Sequence, residues 1–407
     1  MTKDKWELHR IELTYGGVQG SFWLAACAYS GFLTVYLSFR GFSDSLIGLT
    51  SSIMCLMAIV LQLLISSFCD ANPNVPIKKT ISAGLVACLF FLGVAAWIPM
   101  PIALMIIFYS LGSGFGSTVN GLLNAQFMQL INAGLPLQFG WPRAMGSVFY
   151  AGCALLGGML IERYSPAALM PLFAIACLLA ILIIQGMPDA NRLPGRTPTV
   201  FPSEKGSQKT SLLDVLKGNP VFSVFLAATV LVYMGQSASY LFLVRVVEHV
   251  GGSGKQLGTA MFIQAFAEVP MMMIAPMLQK RFKAQNLLTV AFFAYLLRVF
   301  ILMIAGNISL VYLAVFFNMF CYGLYGITSV FFVDSISHPG EKVRAQSLTV
   351  LCGSVAGIVS SLLSGLVLEG FGLQAMMIML TTVTSLGFLL MLVCRRIYNA
   401  KTSEQTK

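Results

Sequence analysis

The residues able to do chemistry in this 407-residue chain are few, and most lie inside long apolar runs. Glu268 and Arg298 each fall in the middle of such a run, and Arg143 and Asp334 fall nearer the ends of others. If the runs cross a bilayer, an ionisable group inside one costs at least about 2.5–3.5 kcal/mol, so a group kept there is a candidate for holding a solute or moving an ion. Opposite charges are very costly when buried apart and tolerable when close. Glu268 and Arg298 therefore admit two readings: a binding and coupling pair, or an ion pair that only locks helices together. Gln264 lies one turn before Glu268 and Tyr295 one turn before Arg298, so both are placed to join a network.

Other polar side chains recur at helical spacing. Arg143, Ser147 and Tyr150 fall at i, i+4 and i+7, on one helix face. Ser113, Ser117, Asn120 and Asn124 share a second face, and Asn318, Tyr322, Tyr325 and Ser329 a third. Such stripes suit a cavity that hydrogen-bonds a polar or aromatic solute. They equally suit hydrogen bonds between helices, and Arg143 equally suits a cation snorkelling from a helix mouth. The candidate solute-binding set is Arg143, Tyr150, Asn120, Asn124, Glu268, Asn318 and Tyr322; the candidate coupling pair is Glu268 with Arg298. Nothing points to catalysis, a metal or a cofactor. His9, His249 and His338 fall in loops or at helix ends, and the nine cysteines contain no CxxC. An enzyme needs a nucleophile, base or metal set, so none is expected.

The elements that must carry these groups follow from composition. Hydrophobic residues make up 57% of the chain and charged ones only 10%, against about 25% charged in soluble domains. Apolar runs recur at roughly 15–39, 44–68, 79–99, 101–129, 141–162 and 166–187, then at roughly 219–247, 256–279, 285–305, 308–334, 345–368 and 372–394. A span of about 20 residues crosses about 30 Å of hydrocarbon. Lipid satisfies no backbone polar group, and the runs lack the two-residue alternation of a barrel, so they must be helices. The expected fold is an all-α membrane protein of about twelve transmembrane helices. Residues 1–187 and 218–407 form two six-helix bundles in this reading, joined by a Pro- and Lys/Arg-bearing linker at 188–217. Ser211 and Asp214 there resemble a helix start.

With both termini placed inside, the inner segments carry nineteen Lys and Arg and the outer segments four, Arg40, Arg163, Arg245 and Lys255. That bias predicts cytoplasmic termini in a plasma membrane, the inner one in a bacterium. It also accounts for the net charge of +10 without nucleic acid, and the charged first residues are not a signal peptide. Residues 146–165 and 353–372 repeat at a constant offset: Gly146, Ser147, Val148, Gly158 and Glu162 recur at Gly353, Ser354, Val355, Gly365 and Glu369. Two parallel repeats are the arrangement of major facilitator transporters.

Four stretches carry a resemblance to that superfamily, and to its lactose-permease-like and phenylpropionate-permease-like branch. They are Tyr36-Leu37 with Gly41-Phe42-Ser43 and Ile47-Gly48; the run from Phe139 to Ser147; Glu268-Val269-Pro270 with Ala275-Pro276 and Lys280-Arg281; and Leu297-Arg298. The resemblance covers nearly the whole chain in order. It implies a monomeric secondary transporter that moves a small organic solute, of aromatic-acid, sugar or nucleoside class, by alternating access with proton coupling. An efflux pump for amphipathic compounds and an uncoupled facilitator are the alternatives. Its partners would be the solute, protons and membrane lipid. By resemblance Glu268 matches a cavity glutamate, Arg298 a coupling arginine and Arg143 a solute-binding arginine. Tyr150 stands where a sugar-stacking tryptophan is usual, and Asp70 in a gating loop between the second and third spans. Two departures argue against lactose itself: Ala125 or Gln126 replaces a fourth-span glutamate, and Asn318 and Cys321 replace the tenth-span histidine and glutamate. Glu268 would then couple alone or with Asp334.

Overall fold

A computed structural model describes residues 3–72, 74–189, 219–337 and 342–405. Most of the linker at 188–217 lies outside the described residues, and so do the helix start at Ser211 and Asp214 and the loop residue His338. Among the described residues every regular element is a helix. In chain order they are α1 (Lys3–Ala26), α2 (Leu33–Phe39), α3 (Asp44–Ala71), α4 (Ile77–Trp97), α5 (Ile102–Asn132), α6 (Gly140–Arg163) and α7 (Leu169–Ile184). There follow α8 (Pro220–Leu241), α9 (Leu243–His249), α10 (Gly254–Arg281), α11 (Ala284–Met303), α12 (Ile308–Phe316), α13 (Tyr325–Ile336) and α14 (Lys342–Gln405).

Ten helices among the described residues are long and apolar enough to cross a bilayer, and the bent pair Trp6–Gly31 and Leu33–Phe39 makes an eleventh. The first expected span is therefore not straight: a π-helical turn at Cys27–Gly31 separates its two parts, which meet at 50°. The tenth expected span is likewise interrupted, by a π-helical turn at Met319–Leu324 between α12 and α13. Such turns shift the residues beyond them out of α-helical register. The helix α14 has 64 residues, too long for one crossing, and is divided at Gly372 (φ 83°, ψ 174°). That backbone conformation is essentially reserved for glycine. The expectation of twelve spans counts the two arms of α14 separately.

Side chains on these helices confirm their surroundings. Leu63, Leu182, Met273 and Val350 are 65%, 68%, 74% and 75% exposed. Apolar exposure on this scale is foreign to a water-soluble monomer and ordinary against lipid. Helix ends are closed locally. Asn219 accepts from the Phe222 N–H at 3.3 Å, Asn307 from the Leu310 N–H at 3.0 Å, and Ser253 with Gln256 forms a capping box at the start of α10.

The chain falls into two compact units, residues 1–42 with 53–205, and residues 43–52 with 206–407. In the first, α1 packs on α6 and α7, and α4 packs on α5. The Arg40 side chain closes the end of α4 by donating to the Ala95 and Ala96 carbonyls at 3.1 and 2.9 Å. In the second, α8 and α11 pack on α14, and α10 packs on the Met319–Leu324 turn. Its segment 43–52 is held by Asp44, which accepts from Arg245 at 2.7 Å, and by the Ser45 N–H, which donates to Glu369 at 2.8 Å.

Candidate functional site

In the first unit the polar groups gather where α1, α5 and α6 meet. Tyr15, Gln19 and Trp23 follow one another at four-residue steps on α1, so all three project from one face. The Tyr15 hydroxyl donates to Asn124 Oδ1 at 3.1 Å, and Gln19 Nε2 donates to the Tyr15 oxygen at 2.7 Å and to Asn124 Oδ1 at 3.3 Å. Gln19 Oε1 then accepts from Trp23 Nε1 at 3.1 Å. Stacking on Phe127 at 4.0 Å fixes the Tyr15 ring. The result is an indole whose polar edge is satisfied and whose plane is set.

Arg143 and Tyr150 converge on that indole. The Arg143 guanidinium lies 5.1 Å from the Trp23 ring centroid, a cation–π distance, and the Tyr150 ring meets Trp23 edge-on at 6.1 Å. Gly146, between them on α6, lets the indole lie against the helix backbone: a Cβ there would stand 3.0 Å from Trp23 Nε1. The start of α6 is fixed in turn by buried Glu12, whose carboxylate accepts from the Gln138 N–H at 2.7 Å and from Trp141 Nε1 at 3.3 Å. Among the described residues no carboxylate lies within ion-pair distance of Arg143. Asn120 sits one turn before Asn124 with a buried Oδ1 that accepts no hydrogen bond. Asp70 is exposed and lines a cavity of about 260 Å³ with Gln62, Ser66, Thr118 and Ala125.

The second unit holds the candidate coupling pair, Glu268 and Arg298, with Asn318 and Tyr322, in an arrangement the sequence did not foretell. Arg298 is fully buried. Its Nη2 donates to Gln264 Oε1 at 2.9 Å, and its Nη1 donates to Gln236 Oε1 on α8. Gln236 Nε2 donates to Asn318 Oδ1 at 3.1 Å, and Asn318 Nδ2 donates to Glu268 Oε1. Glu268 and Arg298 thus belong to one network but are not a direct ion pair: two amides stand between them. Gln264 joins the network as its position implied. The Tyr295 hydroxyl does not; its ring packs with Tyr233 and Tyr325 at 6.1 and 6.2 Å.

The π-helical turn explains why the stripe from Asn318 to Ser329 is not one face. Asn318 is fully buried and Tyr325 and Ser329 are 4% and 5% exposed, whereas Tyr322, inside the turn, is 45% exposed. Asp334 is exposed and pairs with Lys342 at 2.8 Å, away from the buried network. Sequence reasoning missed Gln236, Trp23, Gln19 and Glu12. The four-residue spacing of Tyr15, Gln19 and Trp23 was a usable signal; Gln236 offered only a lone amide in an apolar run. Among the described residues, no three His, Cys, Asp or Glu side chains gather where a metal could sit.

Apolar helices of bilayer length enclosing isolated buried polar clusters are the architecture of a multi-pass membrane protein. The chain belongs to the MFS_1 like family, which it matches over residues 22–380, and it is a transporter of the major facilitator type. Solved structures agree on the fold. The nucleoside transporter NupG is 15% identical, with a TM-score of 0.82 for a mutant form of it, covering 94% of this chain and 99% of that one. The unmutated NupG gives 0.78 at 15% identity, covering 95% and 99%. A bacterial homologue of the human lysosomal transporter Spinster, inward-facing and unoccupied, gives 0.69 at 12% identity, covering 97% and 98%. Comparison with curated protein sequences gave no match.

Proposed function

We propose that the chain carries a small planar organic acid across the plasma membrane together with a proton, by alternating access between two six-helix bundles at 1–187 and 218–407. The two units divide the work. The first binds the solute: Arg143 supplies charge for a carboxylate, and Trp23 and Tyr150 supply aromatic surface for a flat ring. The second couples: Glu268 takes up and releases the proton, and Arg298 sets the field in which it does so. A proton carried with a monoanion leaves the membrane potential no net charge to act on. Both termini lie in the cytoplasm in this reading, Asp70 serves the gating loop, and the protein works as a monomer in lipid.

The observation that carries the proposal is an arginine stacked on tryptophan with no carboxylate within ion-pair distance among the described residues. A cation in that setting is held by a ring face and keeps its hydrogen-bond donors for a ligand. A nucleoside is the second reading. Asn120, Asn124 and Gln19 offer amide groups for a base or ribose, and the similar solved structures include a nucleoside transporter.

The test is uptake by purified protein in proteoliposomes, with 3-phenylpropionate, uridine and lactose as probes, with and without an inside-alkaline pH gradient. The proposal expects 3-phenylpropionate to accumulate and the gradient to accelerate it. Uridine uptake alone would select the second reading. Flux indifferent to the gradient would refute coupling, and net export of amphipathic dyes would point to efflux.

A further inference from the structure

We propose that Gln236 is a positioning residue that holds Arg298 off Glu268, and so keeps Glu268 free to exchange its proton. The inference rests on the reading of Glu268 as the coupling carboxylate and adds the device that makes that reading workable.

The hydrogen-bond chain has only one self-consistent orientation. A guanidinium only donates, so the Gln236 atom facing Arg298 Nη1 must be its oxygen. Gln236 Nε2 is then turned toward Asn318 Oδ1, where it donates at 3.1 Å. Asn318 Nδ2 is in turn aimed at Glu268 Oε1, which accepts. Each amide points its oxygen toward the cation and its NH2 toward the anion. Their dipoles therefore bridge the two charges while occupying Nη1 of the arginine and Oε1 of the glutamate.

That spacing matters because the surroundings are dry. Arg298 is 0% exposed, and among the described residues its Nε has no acceptor. An arginine–carboxylate contact in such a place is short, strong and often bidentate. Formed directly, it would hold Glu268 ionised through the working range of pH and stop it carrying protons. The groups acting on Glu268 are Arg298 on α11 and Asn318 at the start of the π-helical turn; Glu268 in turn acts on Cys321 in that turn and on Tyr233 on α8, and Cys321, Tyr240 and Tyr295 also act on Arg298. None of these supplies a second carboxylate. Once Gln236 ceases to accept from it, Arg298 Nη1 has Glu268 as its acidic alternative.

The experiment needs no solute. Infrared difference spectra of the full chain in liposomes follow the carbonyl stretch of a protonated carboxyl over roughly pH 5–9. The band is assigned to Glu268 by its loss in Glu268→Gln. Gln236→Leu keeps the bulk and removes the acceptor, so Arg298 turns to Glu268. Half-protonation is then expected to need about tenfold more protons than in the wild type. Gln236→Glu gives Arg298 a carboxylate of its own and shifts the band about tenfold in the opposite sense. Opposite shifts support the proposal. A band unmoved in both variants, or moved the same way by both, overturns it, even if thermal unfolding shows a loss of stability. If Gln236→Leu does not fold, the direction of the Gln236→Glu shift decides alone. A wild-type chain with no titrating band assignable to Glu268 would instead overturn the coupling reading, and the proposal with it.

Discussion

A single methyl group on α6 tests whether the Trp23 platform is what the first unit uses to hold solute. In Gly146→Ala the new Cβ would stand 3.0 Å from Trp23 Nε1 and 3.1 Å from Cγ, with Cδ1 nearer still. Carbon contacts settle at about 3.5–4.0 Å, so with Cδ1 the nearest atom the indole must retreat by about 1–1.5 Å. The retreat strains the bond from Trp23 Nε1 to Gln19 Oε1, now 3.1 Å, and moves the ring that Arg143 faces at 5.1 Å. Overpacking of this kind costs about 1–3 kcal/mol. Expressed in binding, the middle of that range is a loss of about thirtyfold in affinity for an aromatic probe. The assay is binding of 3-phenylpropionate to purified protein, measured beside thermal unfolding. Gly152→Ala is the control, because a Cβ at Gly152, on the same helix, meets nothing within 4 Å. The reasoning is refuted if Gly146→Ala binds as tightly as Gly152→Ala, or if both lose affinity equally.

Three further outcomes follow from other elements. Arg143→Lys keeps the charge but loses the planar fork and the stacking; uptake of 3-phenylpropionate is expected to fall at least about tenfold, and wild-type uptake would contradict the proposed role. Gln264→Leu leaves Arg298 Nη2 without the acceptor it now has at 2.9 Å, and an unmade buried bond costs about 1–3 kcal/mol. The chain should unfold at lower temperature, read by thermal shift in detergent. Gly372→Ala puts a Cβ where there is free space but where φ is 83°, so only backbone strain of about 1–3 kcal/mol is expected. Ala at Gly370, whose Cβ also meets nothing, should lower the thermal midpoint less.

The spans were legible because lipid leaves a chain so little choice: a run such as 79–99 has to be a helix, and α4 occupies Ile77–Trp97. The breaks inside spans were not. Nothing in CAYSG or MFCYGL separates a π-helical turn from an α-helical one, because the residues are apolar or small and the choice is made by packing. The same holds for the site. Charge marked Glu268 and Arg298, and helical spacing marked Gln264 and Asn318, but Gln236, the other amide between the charges, was hidden. A glutamine in an apolar run reads as ordinary glue between helices until its partners are known. Trp23 was hidden for a related reason: an aromatic in a span is usually packing, and only the nearby Arg143 and Gly146 make it a platform.

The central claim is that Glu268 links solute movement to protons. The most direct measurement compares wild type with Glu268→Gln in proteoliposomes, recording 3-phenylpropionate uptake under an inside-alkaline gradient and solute exchange at equal pH. The account predicts that the variant loses the acceleration by the gradient and keeps exchange. A variant whose uptake still responds to the gradient as the wild type does would contradict it.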